Sequence, residues 1–175
     1  MKKSCIHIYC GDGKGKSTCV TGLAVRAAGF GKKVVLCQFL KDGTSSELNI
    51  LRGIPEITVL TCDENFGFSW KMTNEKKLKA HEAYQHLFDK AVEDAASQEA
   101  FLLVMDEFMS AYNYGMIDRD RALDFLKNKP EWLEVAITGR DPKPELIELA
   151  DYVSEIKKVK HPFDEGIHAR KGIEF

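Results

Sequence analysis

Short apolar runs alternate along the chain with longer stretches in which apolar residues recur every three or four positions. The apolar runs predict six β-strands, at 4–9, 34–39, 57–60, 101–105, 133–137 and 152–156. Helical spacing and capping residues predict helices between them, at about 18–29, 47–53, 74–96, 118–128 and 144–150. The regular exchange of strand and helix therefore indicates an α/β fold.

This order of elements is typical of a mostly parallel central sheet with helices on both faces, where ligands bind at the carboxyl ends of the strands. A chain of 175 residues that is 44% hydrophobic, with no linker or repeat, suits one core. We therefore expect a single domain over residues 1–175. The charged segment 157–175 is less periodic, and we expect it to pack as irregular structure.

A glycine-rich stretch separates the first predicted strand from the first predicted helix. It consists of Gly11, Asp12, Gly13, Lys14, Gly15, Lys16, Ser17 and Thr18. At such a turn the backbone N–H groups and the helix dipole bind phosphate, Lys16 reaches the terminal phosphates, and Ser17 can ligate Mg²⁺. Cys10 stands where the usual pattern has glycine, so a purely structural loop is the alternative. We predict nucleotide binding on a P-loop NTPase-like (RecA-like) fold.

Charge and cysteine content narrow the class of partner. The net charge is −2, but residues 1–60 carry 9 Lys and Arg against 4 Asp and Glu, while the remainder carries 16 against 23. Because no long basic stripe appears, we expect a small anionic ligand and no nucleic acid. The five cysteines form no C-x-x-C pair, and no apolar run could span a bilayer. We therefore expect a cytoplasmic protein with reduced thiols and no membrane partner.

The apolar run that ends in Asp106 and Glu107 is typical of the strand that carries metal-binding carboxylates in P-loop proteins. One carboxylate would bind Mg²⁺ directly or through water; an acidic pair without function is the alternative. Arg140, at a strand end, is a candidate for gripping phosphate oxygens. Arg26 lies on the helix after the P-loop and is equally compatible with phosphate binding and with a solvated helix face.

Three aromatic residues, Phe66, Phe68 and Trp70, lie in the predicted loop at 62–73. Such a cluster is ordinarily a small core under a loop, and the functional interpretation is an apolar surface for a large flat ligand. The chain has no Ser-His-Asp order, no nucleophilic cysteine signature and no evident general-base histidine. These absences favour a reaction whose nucleophile belongs to the second substrate.

In combination, these motifs resemble the P-loop type of corrinoid adenosyltransferase, the ATP:cob(I)alamin adenosyltransferases of vitamin B12 assembly and salvage. The resemblance covers nearly the whole chain and rests on residues 11–18, 38–41, 68–70, 105–107, 138–140, 148–151 and 159–164, then Gly166, Ala169, Gly172 and Ile173. It implies transfer of the 5′-deoxyadenosyl group of ATP to the Co(I) centre of a reduced corrinoid, with release of triphosphate. The shifted glycine pattern of the P-loop is itself similar to this family's variant.

The resemblance also implies roles for individual residues on the ATP side. Lys16, the loop amides of residues 13–18 and Mg²⁺, or Mn²⁺ in its place, would hold and neutralise the leaving triphosphate. Ser17 and Glu107 are the expected metal ligands, with Asp106 close by, and Arg26 would help to clamp phosphate. The nucleotide would lie reversed relative to ordinary P-loop enzymes, so that C5′ faces the acceptor.

On the corrinoid side, Phe68 and Trp70 match the family's aromatic pair. An apolar side chain against the lower face of the ring would displace the axial ligand, exclude water and ease reduction of Co(II). The resemblance further implies a homodimer and a flavoprotein reductant. Only residues 1–3 precede Ser4, so we expect a corrinoid pocket that is open or is covered by the tail or by a second subunit.

Two other functions remain open on the residues alone. The first is a P-loop ATPase or small-molecule kinase, in which Glu107 activates water or a hydroxyl and the products are ADP and phosphate. The second is a non-catalytic binding module for nucleotide or corrinoid. Lys16, Ser17, Asp106 and Glu107 together disfavour the binding module, because a protein that only binds need not keep a metal site.

Overall fold

A computed structural model describes residues 4–41, 43–62, 64, 66 and 73–174. Strands and helices alternate along these residues. In chain order they are β1 (Ile6–Cys10), α1 (Lys16–Gly29), β2 (Val34–Gln38), α2 (Glu47–Leu51), β3 (Ile57–Thr61), α3 (Asn74–Ser97), β4 (Leu102–Asp106), α4 (Phe108–Asn113), α5 (Arg119–Asn128), β5 (Glu134–Thr138), α6 (Pro144–Leu149) and β6 (Tyr152–Glu155). Each predicted strand forms, with bounds that differ from the prediction by at most two residues.

The six strands form one sheet in the order β3-β2-β4-β5-β1-β6. All its pairings are parallel, so the predicted α/β class with a parallel central sheet is confirmed. Every residue of β2 and β4 is buried, as expected for strands covered on both faces. Parallel strands end at the same edge, so the residues that follow β1, β4 and β5 are neighbours.

Helices cover both faces because the strand side chains alternate between two apolar clusters. In β4, Leu102 and Val104 belong to the cluster that includes α1 and α2, whereas Leu103 and Met105 belong to the one that includes α3 to α6. Each large side chain buried there stabilises the fold by roughly 1.5–3 kcal/mol. The predicted arrangement of helices on both faces is therefore confirmed.

Helix α4 is the element that the apolar pattern does not predict. It begins directly after Glu107 and buries Phe108, Met109, Ala111 and Tyr112, which lie on one side of the helix. The opposite side carries Ser110 and Asn113, but six residues make fewer than two turns, which is too short a stretch for the sequence to show a helical period. Its position after β4 places it against the edge of the sheet where the predicted ligands lie.

The last strand and the segment after it are much more exposed than the rest. All four residues of β6 are exposed although the strand pairs with β1. Beyond it, the chain forms a 3₁₀ turn at Pro162–Glu165 and otherwise irregular structure, as predicted. None of the helices in the described part of the chain combines the length and apolar character needed to cross a bilayer.

Candidate active site

The glycine-rich loop joins β1 to α1, and its lysine is the first residue of the helix. Lys16 is only 8% exposed, and its Nζ donates a hydrogen bond to the carbonyl oxygen of Gly13 at 2.9 Å. Burial lowers the pKa of Lys16, and the positive charge of Arg140 adds to that effect. The loop therefore curls around an ammonium group at the N-terminus of α1, which is the geometry of a phosphate cradle.

The segment that follows β6 packs against this loop and explains its unusual glycine spacing. The backbone N–H of Gly13 donates to the carbonyl oxygen of Ile156 at 2.8 Å. A Cβ at Gly11 would lie 2.4 Å from that same oxygen, and Gly11 also has a φ of 107°. Glycine is thus required at position 11, where the loop meets Ile156. Cys10 occupies the position that is usually glycine, and burial raises the pKa of its thiol, which is therefore neutral.

Two charged side chains of the loop also contact the C-terminal segment. Asp12 Oδ1 accepts a hydrogen bond from the backbone N–H of Lys158 at 2.9 Å, and this bond lowers the pKa of Asp12. Lys14 Nζ donates to the carbonyl oxygen of Ile173 at 3.0 Å and lies 3.4 Å from a carboxylate oxygen of Glu174. The tail thereby braces the outside of the P-loop.

Asp106 is the buried charge at the centre of the site. It ends β4 and is 1% exposed. Its Oδ1 accepts from the Thr138 hydroxyl at 2.7 Å, and its Oδ2 accepts from Lys41 Nζ at 2.7 Å and from Gln38 Nε2 at 3.2 Å. These three partners come from β2, β5 and the turn after β2, so the carboxylate joins neighbouring strand ends.

Lys41 connects this carboxylate to the P-loop. Its Nζ also donates to Ser17 Oγ at 3.2 Å, so one positive charge lies between two of the predicted metal ligands. Hydroxyl and carboxylate oxygens are the ligands that Mg²⁺ prefers. The amide oxygen of Gln38 is buried beside them with no hydrogen-bond partner among the described residues. This donor set fits a small hard cation.

Glu107, the third predicted metal ligand, makes its hydrogen bonds to neighbouring elements. Its N–H donates one to Thr138 Oγ1 at 2.9 Å, and its carboxylate accepts one from the Ser110 hydroxyl at 3.0 Å. No group of three His, Cys, Asp or Glu side chains suited to a metal occurs within the described ranges. Mg²⁺ typically uses one or two carboxylates with phosphates and water, so this finding is compatible with the predicted site.

Strained backbone marks the edge of the sheet where these residues meet. Leu40, just after β2, and Glu107, just after β4, have left-handed φ values of 57° and 58°. That conformation costs a residue with a Cβ about 1–2 kcal/mol and is concentrated at functional sites. Leu40 immediately precedes Lys41, whose role the sequence pattern did not reveal.

The two predicted phosphate-binding arginines lie in separate cavities beside the loop. Arg140 shares a cleft of about 490 Å³ with Gly11, Asp12 and the lysines at 157 and 158. Arg26 shares a groove of about 640 Å³ with Lys14, Gly15 and Thr18. Because Arg26 is ten residues beyond Lys16 along α1, roughly 15 Å by helical rise, its role as a phosphate clamp stays a prediction.

The predicted corrinoid residues Phe68 and Trp70 lie outside the described residues. Phe66 is buried and its ring meets that of Tyr84 edge-on with centroids 5.6 Å apart, so the structural interpretation applies to it. A cavity of about 770 Å³ lies at the start of α3, soon after this stretch. It is lined by Asn74, Lys77, Leu78, His81, Tyr114, Gly115 and Met116.

A family model described as ATP:corrinoid adenosyltransferase BtuR/CobO/CobP matches residues 2–175. The chain belongs to this family. A corrinoid adenosyltransferase from Pseudomonas aeruginosa is 35% identical over 178 residues, covering 99% of this chain and 85% of that protein. One from Escherichia coli K12 is 36% identical over 182 residues, covering 99% and 87%. Membership makes the chain an enzyme that adenosylates corrinoids.

Among solved structures, the family's fold is matched by EssC, ATPases 2 and 3, from Geobacillus thermodenitrificans. The TM-score is 0.55 at 15% identity, and the match covers 99% of this chain but only 36% of that one. A structure of the cytoplasmic domain of EssC gives a TM-score of 0.52 at 14% identity, with 96% and 36% covered. At this identity the likeness concerns the fold alone, and it agrees with the predicted P-loop NTPase-like architecture.

Proposed function

We propose that the protein transfers the 5′-deoxyadenosyl group of ATP to the Co(I) centre of a reduced corrinoid and releases triphosphate, in synthesis or salvage of adenosylcobalamin. The observation that carries this proposal is the meeting of the P-loop with the buried Asp106 at one edge of the sheet. Ser17 and Asp106 both contact Lys41 Nζ there, and Lys16 begins the adjacent helix. Family membership supplies the two substrates, ATP and a corrinoid.

In the proposed step, the electron pair of Co(I) attacks C5′ of the ribose. The C5′–O bond breaks, its electrons leave with triphosphate, and the cobalt becomes formally Co(III). The protein then needs no nucleophile of its own, in agreement with the absence of a Ser-His-Asp order or nucleophilic cysteine motif in the sequence. Its task is to orient ATP and to stabilise the negative charge that develops on the leaving group.

The cradle residues divide this task between them. The amides of residues 13–18 and the Lys16 ammonium would hold the triphosphate, while Ser17, Asp106 and Glu107 would hold Mg²⁺ or Mn²⁺. The metal, when bound, would supply positive charge to the leaving oxygens. Arg140 is supported as a further phosphate ligand because it shares a cleft with Gly11 and Asp12. Arg26 has weaker support, since its groove runs along the helix.

We place the corrinoid near the start of α3, with Phe68 and Trp70 against the ring. The cavity of about 770 Å³ supports this position. Helices that follow parallel strands begin at the carboxyl edge of the sheet, so this cavity and the P-loop lie at the same edge. The apolar side chains would keep water from the cobalt during transfer.

We also propose that the protein is a cytoplasmic homodimer and that a flavoprotein reduces its corrinoid. A homodimer is supported by exposed apolar residues on β6 and the tail, namely Tyr152, Val153, Val159, Phe163 and Ile167. Five reduced cysteine thiols suit the cytoplasm. A flavoprotein would supply the electron that reduces Co(II). Light scattering on the purified protein tests the dimer, which a monomer mass at micromolar concentration would contradict.

The transfer itself is tested by anaerobic incubation with Mg²⁺, ATP and chemically reduced cob(I)alamin. Absorbance follows the light-sensitive cobalt–carbon product, and ³¹P NMR identifies the phosphate products. We expect photolabile corrinoid and triphosphate in equal amounts. ADP and phosphate with unchanged corrinoid would instead identify an ATPase or a kinase, and ATP bound without turnover would identify a binding module.

A further inference from the structure

The ammonium of Lys41 lies at the point where the donor set of the site converges. It is 2.7 Å from Asp106 Oδ2 and 3.2 Å from Ser17 Oγ. In the proposed function, these are two of the ligands of the metal. A lysine nitrogen and a divalent cation cannot share this point, because like charges a few ångströms apart repel strongly where water is excluded.

Asp106 needs a positive partner even without nucleotide. Its side chain is 2% exposed, and a buried carboxylate without a counter-charge is strongly unfavourable. Gln38 and Thr138 donate hydrogen bonds to it but carry no charge. Lys16 directs its ammonium to the carbonyl oxygen of Gly13. Lys41 is therefore the cation that balances Asp106.

The protein also places Lys41 at this point at a cost to its backbone. Leu40 has a left-handed φ of 57°, although a leucine side chain disfavours that conformation. Strain of this kind persists only where the surroundings enforce it. Yet 27% of the Lys41 side chain is exposed, so the ammonium has a path away from Asp106 toward the open side of the site.

We propose that Lys41 is an exchangeable counter-ion of Asp106, which occupies the metal position in the nucleotide-free protein and leaves it when metal and nucleotide bind. This inference rests on the proposed function, because it takes Ser17 and Asp106 as metal ligands. Lys41 then weakens binding of a bare divalent cation, so the cation enters together with the triphosphate. The exchange keeps Asp106 paired with a positive charge in both states.

The test measures Mn²⁺ binding to nucleotide-free protein from loss of the EPR signal of the hydrated ion. Lys41→Met and Lys41→Gln both remove the charge, and the glutamine keeps a donor for Asp106 if the methionine variant does not fold. We expect either variant to bind Mn²⁺ about tenfold or more tightly than the wild type. With ATP present, this difference shrinks, because Lys41 has left Asp106 in the wild type.

Two control variants separate this site from other Mn²⁺ sites. Lys33→Met removes a lysine at the opposite edge of the sheet, where it donates to the carbonyl oxygen of Gln98, and should bind Mn²⁺ as the wild type does. Asp106→Asn added to Lys41→Met should abolish the gain. Unchanged or weaker Mn²⁺ binding in both neutral variants, or a gain that survives loss of Asp106, would overturn the inference.

The measurement needs no corrinoid and is therefore separable from the proposed transfer. If the wild type makes the adenosylated product but the Lys41 variants show no gain in Mn²⁺ affinity, the counter-ion role alone is wrong. If those variants do gain affinity in a protein that makes no adenosylated product, the exchange stands and the proposed reaction is wrong.

Discussion

At the scale of single residues, the site depends on one buried charge. Asp106 joins the P-loop to three strand ends through Lys41, Gln38 and Thr138. A buried carboxylate keeps its charge only while these hydrogen-bond donors surround it, and the carboxylate in turn holds the donors in place. Substitutions at this residue should therefore alter stability and ligand binding together.

Asp106→Asn should lower the free energy of unfolding by about 2–3 kcal/mol, because it leaves Lys41 without its anion. The loss falls below that for a fully enclosed pair, since 27% of the Lys41 side chain is exposed. Urea unfolding of both proteins measures it. The control is Asp124→Asn, at a carboxylate whose exposed bond to Asn128 should contribute little. Equal stability of Asp106→Asn and wild type would refute the expectation.

Lys16→Ala should separate activity from stability. We expect adenosyl transfer to fall by about a thousandfold or more, because the other lysine of the loop, Lys14, directs its ammonium to the carbonyl oxygen of Ile173. Thermal stability should stay the same or rise, since burial already disfavours this charge and lowers the pKa of Lys16. Product absorbance and a melting curve on the same sample measure both. Activity within tenfold of the wild type would contradict the assignment.

At the scale of elements, the C-terminal segment acts as a brace for the phosphate loop. A Cβ at Gly13 would lie 2.8 Å from both the carbonyl oxygen of Ile156 and the carbonyl carbon of Lys157. These are backbone atoms, which cannot move aside as the end of a flexible side chain can. A side chain at position 13 would therefore force the phosphate loop and the C-terminal segment apart.

Gly13→Ala should destabilise the protein by roughly 1–3 kcal/mol and weaken ATP binding. Gly29→Ala is the matched control, because a Cβ there meets nothing within 4 Å and Gly29 is the last residue of α1. It should leave stability unchanged or raise it by about 0.5–1 kcal/mol. Calorimetric titration with Mg²⁺ and ATP, together with urea unfolding, compares the two variants. Equal effects of both substitutions would show that the brace is unimportant.

The bond between Asp12 and Lys158 gives the brace a dependence on pH. The folded pKa of Asp12 lies below the ordinary 3.8, so its charge stabilises the fold above that value and the effect is lost as pH falls through the folded pKa. Asp12→Asn keeps an acceptor for the Lys158 N–H but has no charge. The stability difference between the two proteins should be constant from about pH 7 to about pH 5 and shrink below. A difference that widens in acid would be contrary to this.

The strands and α3 could be predicted from sequence because each strand is a short apolar run and α3 has apolar residues at helical spacing. Helix α4 could not, since its six residues make fewer than two turns and are too few to show a helical period. The P-loop and Asp106 were recognisable from residue type and spacing. The role of Lys41 was not, because it depends on the left-handed backbone of Leu40 and on a contact between residues 65 positions apart.

At the scale of the whole molecule, the proposed function has the sheet bring its two substrates to one edge. Trp70→Ala should leave ATP binding unchanged and reduce corrinoid turnover strongly, because Trp70 is assigned to the corrinoid and is distant in sequence from the P-loop. Calorimetric titration with ATP and the anaerobic product assay measure the two halves. Trp132→Ala, at a half-exposed residue beside Phe101 near the opposite edge, is the matched control. Unchanged corrinoid turnover in Trp70→Ala would disprove the assignment of the aromatic loop.

The strand order also determines the point in synthesis at which the chain can bind nucleotide. β1 pairs with β5 and β6, which the ribosome makes after β4, whereas β2 pairs with β3 and β4, which are made earlier. At roughly 5–20 residues per second, β1 waits on the order of ten seconds for its neighbours. A nascent chain thus completes the strand that bears Asp106 long before its phosphate loop has a brace. We expect added nucleotide to protect nascent chains from proteolysis only when translation has passed β6.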